Sequence, residues 1–473
     1  MKVWDSSSGT PEKVDTGETL LEKAHALHLA DKFSEAEAIY GQLMEQNYKN
    51  GGLMATLGSL YIQQQKWGLG IHFLQSAVDV GLKEPDAYAN LALGYQRSGQ
   101  YEKARFYYEK SIEGDTTPAA LTNYSGMFIE AGKPEKCIEL CERAIKEEPN
   151  LPVAHWNLAL ALLGEGQWER AWQEHEWGLK PGCLREDRIV LDLPLWDGTP
   201  GKTVLVYGEQ GLGDEIMFAS MINDLQKTNK VILECHKRLE TLFKNAFPGV
   251  TVHGTREDSQ IEWAYDEPIH YRIAIGSLGK FFRNSKESFP GTPYLKSDSL
   301  PKGNKFRIGI SWKGGGAKLG RVQKRSVPLT WWKPILDAGQ DVEFVSLQYG
   351  KGKEEDLDMM DALGYDIKRF VESDAKDYAD VAKLVASCDL VITICTSIVH
   401  LAGALGVPCW VITPKYPAWR YQNQGPMPWY RSVRLYRSPS VEQAAWRPVI
   451  DRIAEDLSEK LGTQKLQPMQ MVA

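Results

Sequence analysis

Residues 17–180 repeat a pattern of small and large apolar residues that is typical of paired helices. Small residues precede an apolar stripe at spacings of 34, 34, 33 and 34, at Ala36, Gly70, Ala104, Cys137 and Ala171. A second set lies upstream at the same offsets, at Ala24, Gly58, Ala92, Ser125 and Ala159. Because each unit buries its apolar face only by stacking on the next, this period predicts an α-helical solenoid of about five repeats.

From Lys202 the pattern changes to short apolar runs that alternate with helical stretches. The runs rich in β-branched residues are 203–207, 231–235, 306–311, 342–347, 390–394 and 410–413. Such alternation predicts parallel sheets with crossover helices, and a Gly- and Pro-rich stretch at 291–305 divides the region in two. We therefore expect an α/β fold of two Rossmann-like doubly wound domains, 200–295 and 306–462, which face each other across a ligand cleft.

Composition and charge narrow the functional classes. The 473 residues are 43% hydrophobic and 25% charged, which is typical of folded globular proteins. The net charge is −7, with the acidic excess in residues 1–180, which argues against a nucleic-acid-binding protein. Seven cysteines without a C-x-x-C pair, and an N-terminus without a signal-peptide pattern, predict a reduced, cytoplasmic protein. Polar residues, glycines and a proline interrupt the apolar stretch 390–413, which we interpret as strand, helix and strand rather than a membrane span.

The most specific motif is Gly-Glu-Gln-Gly-Leu-Gly-Asp at 208–214, between the first strand and the following helix. Gly211 and Gly213 allow a tight turn and leave room for a phosphate or sugar near the backbone. This turn presents Asp214 at the predicted cleft. A dinucleotide fingerprint is disfavoured because Ile216 occupies its third glycine position, and the chain has no Walker sequence. An aspartate that only caps the helix is the alternative interpretation.

A basic loop begins the second α/β half. Lys313 ends a predicted strand, and four further cations interleaved with glycines follow it, at Lys318, Arg321, Lys324 and Arg325. Such a loop suits a clamp on a diphosphate, with Lys313, Lys324 and Arg325 as candidate contacts. A solvated basic loop is the alternative interpretation.

A third candidate segment follows the buried strand 390–394. Thr396 and Ser397 head a helix, and the free amide groups of a helix N-terminus attract phosphate. His400 lies one turn into the same helix and is a further candidate for the anion. A histidine with a purely structural role is the alternative.

Three asparagines occupy one position of repeats three to five: Asn90, Asn123 and Asn157. Stacked repeats would line these amides along the concave surface, where they can bond the backbone of an extended peptide without reading its sequence. We call this set the asparagine ladder. Alternatively, each asparagine bonds to a neighbouring helix.

Several of these segments resemble known families. Residues 90–95 and 99–104 resemble the tetratricopeptide repeat. The α/β region resembles bacterial repeat-fused glycosyltransferases of the heptosyltransferase-like GT-B class, and more distantly O-GlcNAc transferase, whose repeats carry a similar asparagine ladder. The segments that carry this resemblance are 211–216, 309–313, 344–350, 396–406 and 419–421.

The resemblance implies an inverting transfer from a nucleotide-diphospho-sugar donor to a hydroxyl on a protein, peptide or glycan, without a metal or other cofactor. It implies that Asp214 is the base, and that Lys313 or a lysine in the following loop, together with Thr396 and Ser397, contacts the phosphates. One departure is that Cys395 stands where many relatives have aspartate, which argues against an ADP-heptose donor.

The same chemistry can be argued from the residues. Asp214 would accept the acceptor's proton while the basic loop and a helix N-terminus stabilise the leaving diphosphate. Asp356 and Asp358 form an Asp-x-Asp pair of the kind that holds Mn²⁺ in other glycosyltransferases, but on a charged helical face we interpret them as solvated surface. A non-catalytic scaffold with a degenerate α/β region remains the alternative function, and an NAD-dependent dehydrogenase is disfavoured by the missing glycine.

Overall fold

The computed structural model describes residues 17–47, 49–114, 116–183, 185, 192–258, 261–314, 326–338, 341–350 and 352–462. The chain divides into two compact units. The first unit extends to Met127 and includes Leu140–Pro149, and the second comprises Phe128–Glu139 and the chain from Asn150. The fifth helix pair and both sheets therefore belong to the second unit.

The repeat region is built of helix pairs, which confirms the predicted solenoid. The helices are α1 (Gly17–Leu29), α2 (Phe33–Gln46), α3 (Gly51–Gln63), α4 (Trp67–Asp79), α5 (Pro85–Arg97), α6 (Tyr101–Ser111), α7 (Pro118–Glu130), α8 (Pro134–Glu147), α9 (Pro152–Gly164) and α10 (Trp168–His175). Proline begins four of these helices because its fixed φ suits the first helical position. In each pair the turn between the helices contains a residue with φ between +56° and +80°, at Asp31, Gln65, Gly99, Gly132 and Gly166.

Small residues let the paired helices approach closely, as the sequence pattern predicts. A Cβ atom at Gly58 would lie 2.6 Å from Cγ of Leu74, and one at Gly70 would lie 2.5 Å from Cδ1 of Ile62. A larger side chain at either glycine would push α3 and α4 apart, because the interior has no spare volume.

The α/β region contains two parallel sheets. The first is built from β1 (Thr203–Tyr207), β2 (Lys230–Glu234), β3 (Thr251–His253) and β4 (Tyr271–Ala274), in the order β3-β2-β1-β4. The second is built from β5 (Phe306–Ser311), β6 (Val342–Ser346), β7 (Ile367–Lys368), β8 (Leu390–Ile394), β9 (Cys409–Thr413) and β10 (Val433–Arg437), in the order β10-β9-β8-β5-β6-β7. Counted from its first strand, the second sheet has the order 3-2-1-4-5-6 of a doubly wound fold.

The strands alternate with helices, which confirms the predicted α/β fold. The helices are α11 (Leu212–Ala219), α12 (Ile222–Leu225), α13 (Glu240–Ala246), α14 (Trp263–Asp266), α15 (Gly279–Phe282), α16 (Lys333–Asp337), α17 (Lys353–Ala362), α18 (Tyr378–Ala386), α19 (Ser397–Leu405) and α20 (Trp446–Leu461). The apolar stretch 390–413 forms β8, α19 and β9, as predicted. Within the described ranges, we find no helix with the length and apolar character needed to cross a bilayer.

Candidate functional site

In both sheets, the loops that carry the predicted glycines and hydroxyl groups follow the strands at which the strand order reverses. In the first sheet β1 pairs with β2 and β4, and in the second β5 pairs with β6 and β8. Doubly wound sheets bind ligands at this point, beyond the carboxyl ends of the strands. The loop 208–211 leaves β1, and residues 312–314 and 395–396 leave the neighbouring strands β5 and β8. The fold therefore brings the predicted motifs to the edge of each sheet that is formed by the carboxyl ends of its strands.

Asp214 caps the helix that follows the glycine turn. Gln210 has φ of +62°, and the next residue, Gly211, is extended and is the N-cap residue of α11. The backbone N–H of Gly211 donates to Oδ2 of Asp214 at 3.2 Å. Asp214 thus makes the capping contact that the alternative interpretation predicts.

Asp214 also forms an ion pair with Arg420, which follows β9. A guanidinium nitrogen of Arg420 donates to Oδ1 of Asp214, and each side chain is only 17% exposed. Burial acts to lower the pKa of Arg420, but the nearby Asp214 carboxylate is the largest of the influences that together raise it. Arg420 is therefore charged and fixed beside the candidate base. Arg420 was not among the predicted site residues, although it lies in the segment 419–421, which contributes to the family resemblance.

Helices α11 and α19 pack against each other at their first turns. A Cβ atom at Gly213 would lie 3.0 Å from Cδ2 of His400 and 3.3 Å from Cα of Ser397. A Cβ atom here would require the His400 ring or the backbone of Ser397 to shift by a few tenths of an ångström. The glycine turn of one half and the helix head of the other are therefore one cluster.

His400 is a buried, neutral member of this cluster. Burial, and then the charge of Arg420, lower the pKa of His400 to about 3. Its Nδ1 atom lies 3.4 Å from the hydroxyl of Tyr430. The ring can offer an anion a hydrogen bond but no positive charge at neutral pH.

Hydrogen bonds orient both hydroxyls at the head of α19. Oγ1 of Thr396 accepts from the backbone N–H of Ile398 at 3.3 Å, which makes Thr396 the capping residue. The Ser397 hydroxyl lies 2.7 Å from that of Tyr378. The guanidinium of Arg238 lies 4.8 Å from the centre of the Tyr378 ring, which brings a further positive charge towards this helix head.

The chain leaving β5 is held by a neutral buried side chain. Oε1 of Gln348 accepts from the backbone N–H groups of Trp312 and Lys313 at 2.9 and 2.8 Å. Lys313 points its Nζ atom to Oδ2 of Asp356, 2.5 Å away. In this state the Lys313 charge is paired within the protein.

The interpretation of the Asp-x-Asp pair as solvated surface is wrong for Asp356. Its side chain is 24% exposed and, besides pairing with Lys313, accepts from the indole N–H of Trp312 at 2.7 Å. The carboxylate is drawn inward because these two donors leave β5 next to it. Asp358, with a side chain 73% exposed, pairs with Arg369 at the surface. In the part of the chain that is described, no group of three or more His, Cys, Asp or Glu is placed to hold a metal ion.

The rest of the predicted basic loop lies outside the described residues. This concerns Lys324 and Arg325 as candidate phosphate contacts, together with Lys318 and Arg321.

Two buried carboxylates that sequence analysis missed hold the loop before Asp214. Glu209 accepts from Nε and Nη2 of Arg185, each at 2.7 Å, and from the backbone N–H of Gly276 at 3.0 Å. Both side chains of the Arg185–Glu209 pair are fully buried. Arg185 also donates to the backbone carbonyl of His175 at 2.8 Å, at the end of α10. The loop is thereby tied to the fifth repeat.

Glu215 holds the other side of the loop. It accepts from Arg256 and from the backbone N–H of His236, the latter at 3.0 Å. Burial raises the pKa of Glu215 to about 7, although Arg256 and the His236 amide act in the opposite direction. A Cβ atom at Gly208 would lie 2.7 Å from Oε2 of Glu215, so this glycine makes room for the carboxylate. The sequence signal that could have identified Glu209 and Glu215 is their position within and just after the glycine turn.

The asparagine ladder lies on the predicted helices, and each side chain is half-buried. Nδ2 of Asn90 donates to the hydroxyl of Ser59 on α3 at 2.9 Å, which is the contact with a neighbouring helix that the alternative interpretation predicts. Asn90 and Asn123 lie in the first compact unit, and Asn157 lies in the second.

The chain is similar to a curated protein and to several solved structures. Over 363 residues the chain is 30% identical to protein FlbA of Caulobacter vibrioides, covering 70% of this chain and 60% of FlbA. The chain thus spans less than two thirds of that relative. Among solved structures, MamA is 19% identical with a TM-score of 0.28, over 33% of this chain and 91% of MamA. YrrB, described as a TPR protein with an unusual peptide-binding site, is 14% identical with a TM-score of 0.27, over 35% of this chain and 87% of YrrB.

The sequence model of the tetratricopeptide repeat family matches residues 85–113. The chain therefore contains tetratricopeptide repeats, which imply a protein or peptide partner.

Proposed function

We propose that this protein is an inverting, metal-independent glycosyltransferase of the GT-B type, which uses a nucleotide-diphospho-sugar donor. The observation that carries the proposal is the cluster formed by Gly213, Asp214, Ser397, His400 and Arg420. A carboxylate that can accept a proton, a fixed guanidinium and a helix N-terminus meet there, at the ligand-binding edges of two parallel sheets. Proton transfer to a base and stabilisation of a leaving diphosphate require these groups.

The proposed reaction is one displacement. The acceptor oxygen attacks the anomeric carbon, and the bond from that carbon to the diphosphate oxygen breaks with its electron pair on the diphosphate. The acceptor's proton passes to Asp214. Arg420 and the amide groups at the head of α19 stabilise the charge on the leaving group, with neutral His400 as a hydrogen-bonding neighbour. We expect transfer to persist in EDTA, and a loss that Mn²⁺ restores would contradict this mechanism.

The repeats are proposed to recruit the acceptor or a partner protein. In this proposal the asparagine ladder contacts the backbone of an extended polypeptide. The side-chain amide of Asn90 carries two hydrogens, and its contact with Ser59 uses one of them. In this proposal the second hydrogen donates to the polypeptide backbone. None of the seven cysteines, all of which lie within the described residues, forms a disulfide, and this supports a cytoplasmic location for the reaction.

A second candidate function is a non-catalytic scaffold. The observation that favours it is that the candidate groups already have partners within the protein: Asp214 with Arg420, Lys313 with Asp356, and Ser397 with Tyr378. An enzyme would have to exchange these contacts for ligand contacts during each cycle.

Calorimetric titration with a panel of nucleotide-diphospho-sugars separates the two functions. We expect one donor to bind, and Thr396→Ala with Ser397→Ala to weaken binding by roughly a hundredfold or more, because each lost hydrogen bond to a charged group is worth about 1.5–3 kcal/mol. Thr117→Ala is a matched control, since this threonine caps a helix in the repeats by accepting from Ala120 N–H at 3.1 Å. Binding of no donor by the wild-type protein would favour the scaffold, and unchanged affinity in the double variant would exclude the helix head as the phosphate site.

A further inference from the structure

The segment 414–423 carries Arg420 and contains a strained residue. Gln422 has φ of +58° and ψ of 154°, a backbone region that is occupied almost only by glycine. A glutamine remains in such a conformation only where its surroundings hold it there. The strained residue is two positions from the arginine that pairs with Asp214.

The surroundings that hold Gln422 belong to the fifth repeat. Its Nε2 atom donates to the backbone carbonyl of Leu163 at 2.8 Å and to that of Trp419 at 2.8 Å. Leu163 lies in the last turn of α9, and its carbonyl also accepts from the backbone N–H of Gly166 at 3.2 Å. The Gln422 side chain therefore adds a second donor at the end of this helix and ties a residue two positions from Arg420 to the fifth repeat.

Asn423 continues this contact. Its backbone N–H donates to the carbonyl of Gly164 at 3.2 Å, and its Nδ2 atom donates to Oε1 of Glu165 at 2.6 Å. A Cβ atom at Gly164 would lie 3.1 Å from Nδ2 of Asn423, so the glycine at the end of α9 permits the approach. Two successive residues of the segment thus bond the last turn of the same helix.

The other end of the segment also contacts the repeats. A Cβ atom at Gly132, in the turn between α7 and α8, would lie 1.9 Å from the ring of Tyr416. In the middle of the segment, the Trp419 ring packs edge-on against that of Trp172 on α10, with centroids 5.9 Å apart. Contacts before, beside and after Arg420 therefore hold the segment that presents it.

We propose that Gln422 and Asn423 are positioning residues, through which the fifth repeat fixes Arg420 against Asp214. The Asp214 loop is tied to the same repeat by Arg185, so both members of the ion pair depend on one helix pair. The consequence for turnover rests on the proposed function, whereas the positioning itself does not. The fifth repeat then serves the reaction as well as any partner.

Two substitutions at Gln422 in the full-length protein test the proposal. Gln422→Ala removes the side-chain contact and keeps the strain, and Gln422→Gly removes both. We expect hydrogen exchange in residues 414–423 to speed up by roughly tenfold or more in both variants, because the contacts that hold the segment in place are lost.

We expect kcat to fall by roughly tenfold or more in both variants, with the donor KM changed by less than about twofold, because the reacting groups are misplaced. Gln422→Gly should nevertheless be the more stable variant.

This pattern distinguishes positioning from a merely structural role. Were the role structural, kcat would follow stability, and Gln422→Gly would work better than Gln422→Ala, which would overturn the proposal. Unchanged exchange in residues 414–423 would also overturn it. Gln226→Ala is a matched control, since this half-buried glutamine bonds Asn223 at 2.9 Å away from the cluster. A wild-type protein without donor binding would contradict the proposed function, while the exchange measurement would still decide the positioning.

Discussion

The repeats and the loop before Asp214 both bury polar side chains, but they use different chemistry. Several contacts between helices in the repeats use neutral groups, as where Tyr108 donates to Gln96 at 3.0 Å or Asn90 donates to Ser59. The loop before Asp214 is held by the buried carboxyl groups of Glu209 and Glu215 with their arginines, and Arg185 and Glu209 form a fully buried ion pair. A neutral hydrogen bond contributes about 1 kcal/mol, whereas a buried charge that loses its partner costs several times more. The difference teaches that the fold is least tolerant of change next to the candidate site.

The largest effect is expected from Arg185→Met. The substitution leaves Glu209 buried without its bidentate partner, and we expect the free energy of unfolding to fall by about 3–5 kcal/mol. Urea denaturation measures this change, and Arg105→Met is the control, since Arg105 is a surface residue with a side chain 56% exposed. Adding Glu209→Met should recover part of the loss. If the free energy of unfolding of Arg185→Met lay within about 1 kcal/mol of the wild-type value, the proposed difference between the loop and the repeats would be contradicted.

The next largest effect is expected in the pH dependence of the free energy of unfolding, to which Glu215 contributes. Because the pKa of Glu215 rises from an ordinary value of 4.5 to about 7 in the folded protein, the folded state holds a proton that the unfolded chain releases in this range. The stability from Glu215 is thus fully present below pH 4.5 and is lost as the pH rises towards 7. We expect this loss to be about 1–3 kcal/mol. Urea denaturation of wild type and Glu215→Gln across this pH range measures it, and equal slopes in the two proteins would contradict the assignment.

The smallest effect is expected in the repeats. Replacing Asn90, Asn123 and Asn157 with alanine should raise the KM for a polypeptide acceptor by roughly tenfold, because each lost backbone contact is worth about 1 kcal/mol and not all are independent. Donor affinity should not change. Asn50→Ala is the control, since Asn50 caps α3 by accepting from Leu53 N–H at 3.0 Å. Wild-type kinetics in the triple variant would mean that the asparagines are structural.

Sequence patterns predicted the fold well where one rule acts along a continuous stretch. The small residues of the repeats recur because every helix pair meets the same packing constraint, and the buried strands β1, β5 and β8 begin and end as predicted. The strands that the sequence analysis missed are short or have polar alternation, as in β7 with two residues and β10 with sequence VRLYR. Such strands carry too few apolar residues to stand out from a loop.

The candidate site was predicted only in part, because its pairs join distant parts of the chain. Glycine spacing identified Asp214, but the partner Arg420 lies 206 residues away in the sequence and meets it only in the folded protein. Arg185 and Glu209 similarly meet only after the fifth repeat docks on the first sheet. The charge of Asp356 is drawn inward by Trp312 and Lys313, whose direction follows from the end of β5. The local sequence pattern does not show which distant residues will be in contact in the folded protein.

Asp214→Asn tests the central claim most directly. The substitution preserves shape and removes the proton acceptor, so we expect transfer to slow by roughly 10²-fold or more while nucleotide-diphosphate affinity stays close to wild type. Asp389→Asn is the matched control, because Asp389 also combines an ion pair, with Lys302 at 2.6 Å, and a backbone contact, with Arg307 N–H at 2.9 Å, at the opposite end of its sheet. Single-turnover transfer rates and calorimetric affinities of the two variants give the answer. A near-wild-type rate in Asp214→Asn would contradict the claim and leave Asp214 as a helix cap paired with Arg420.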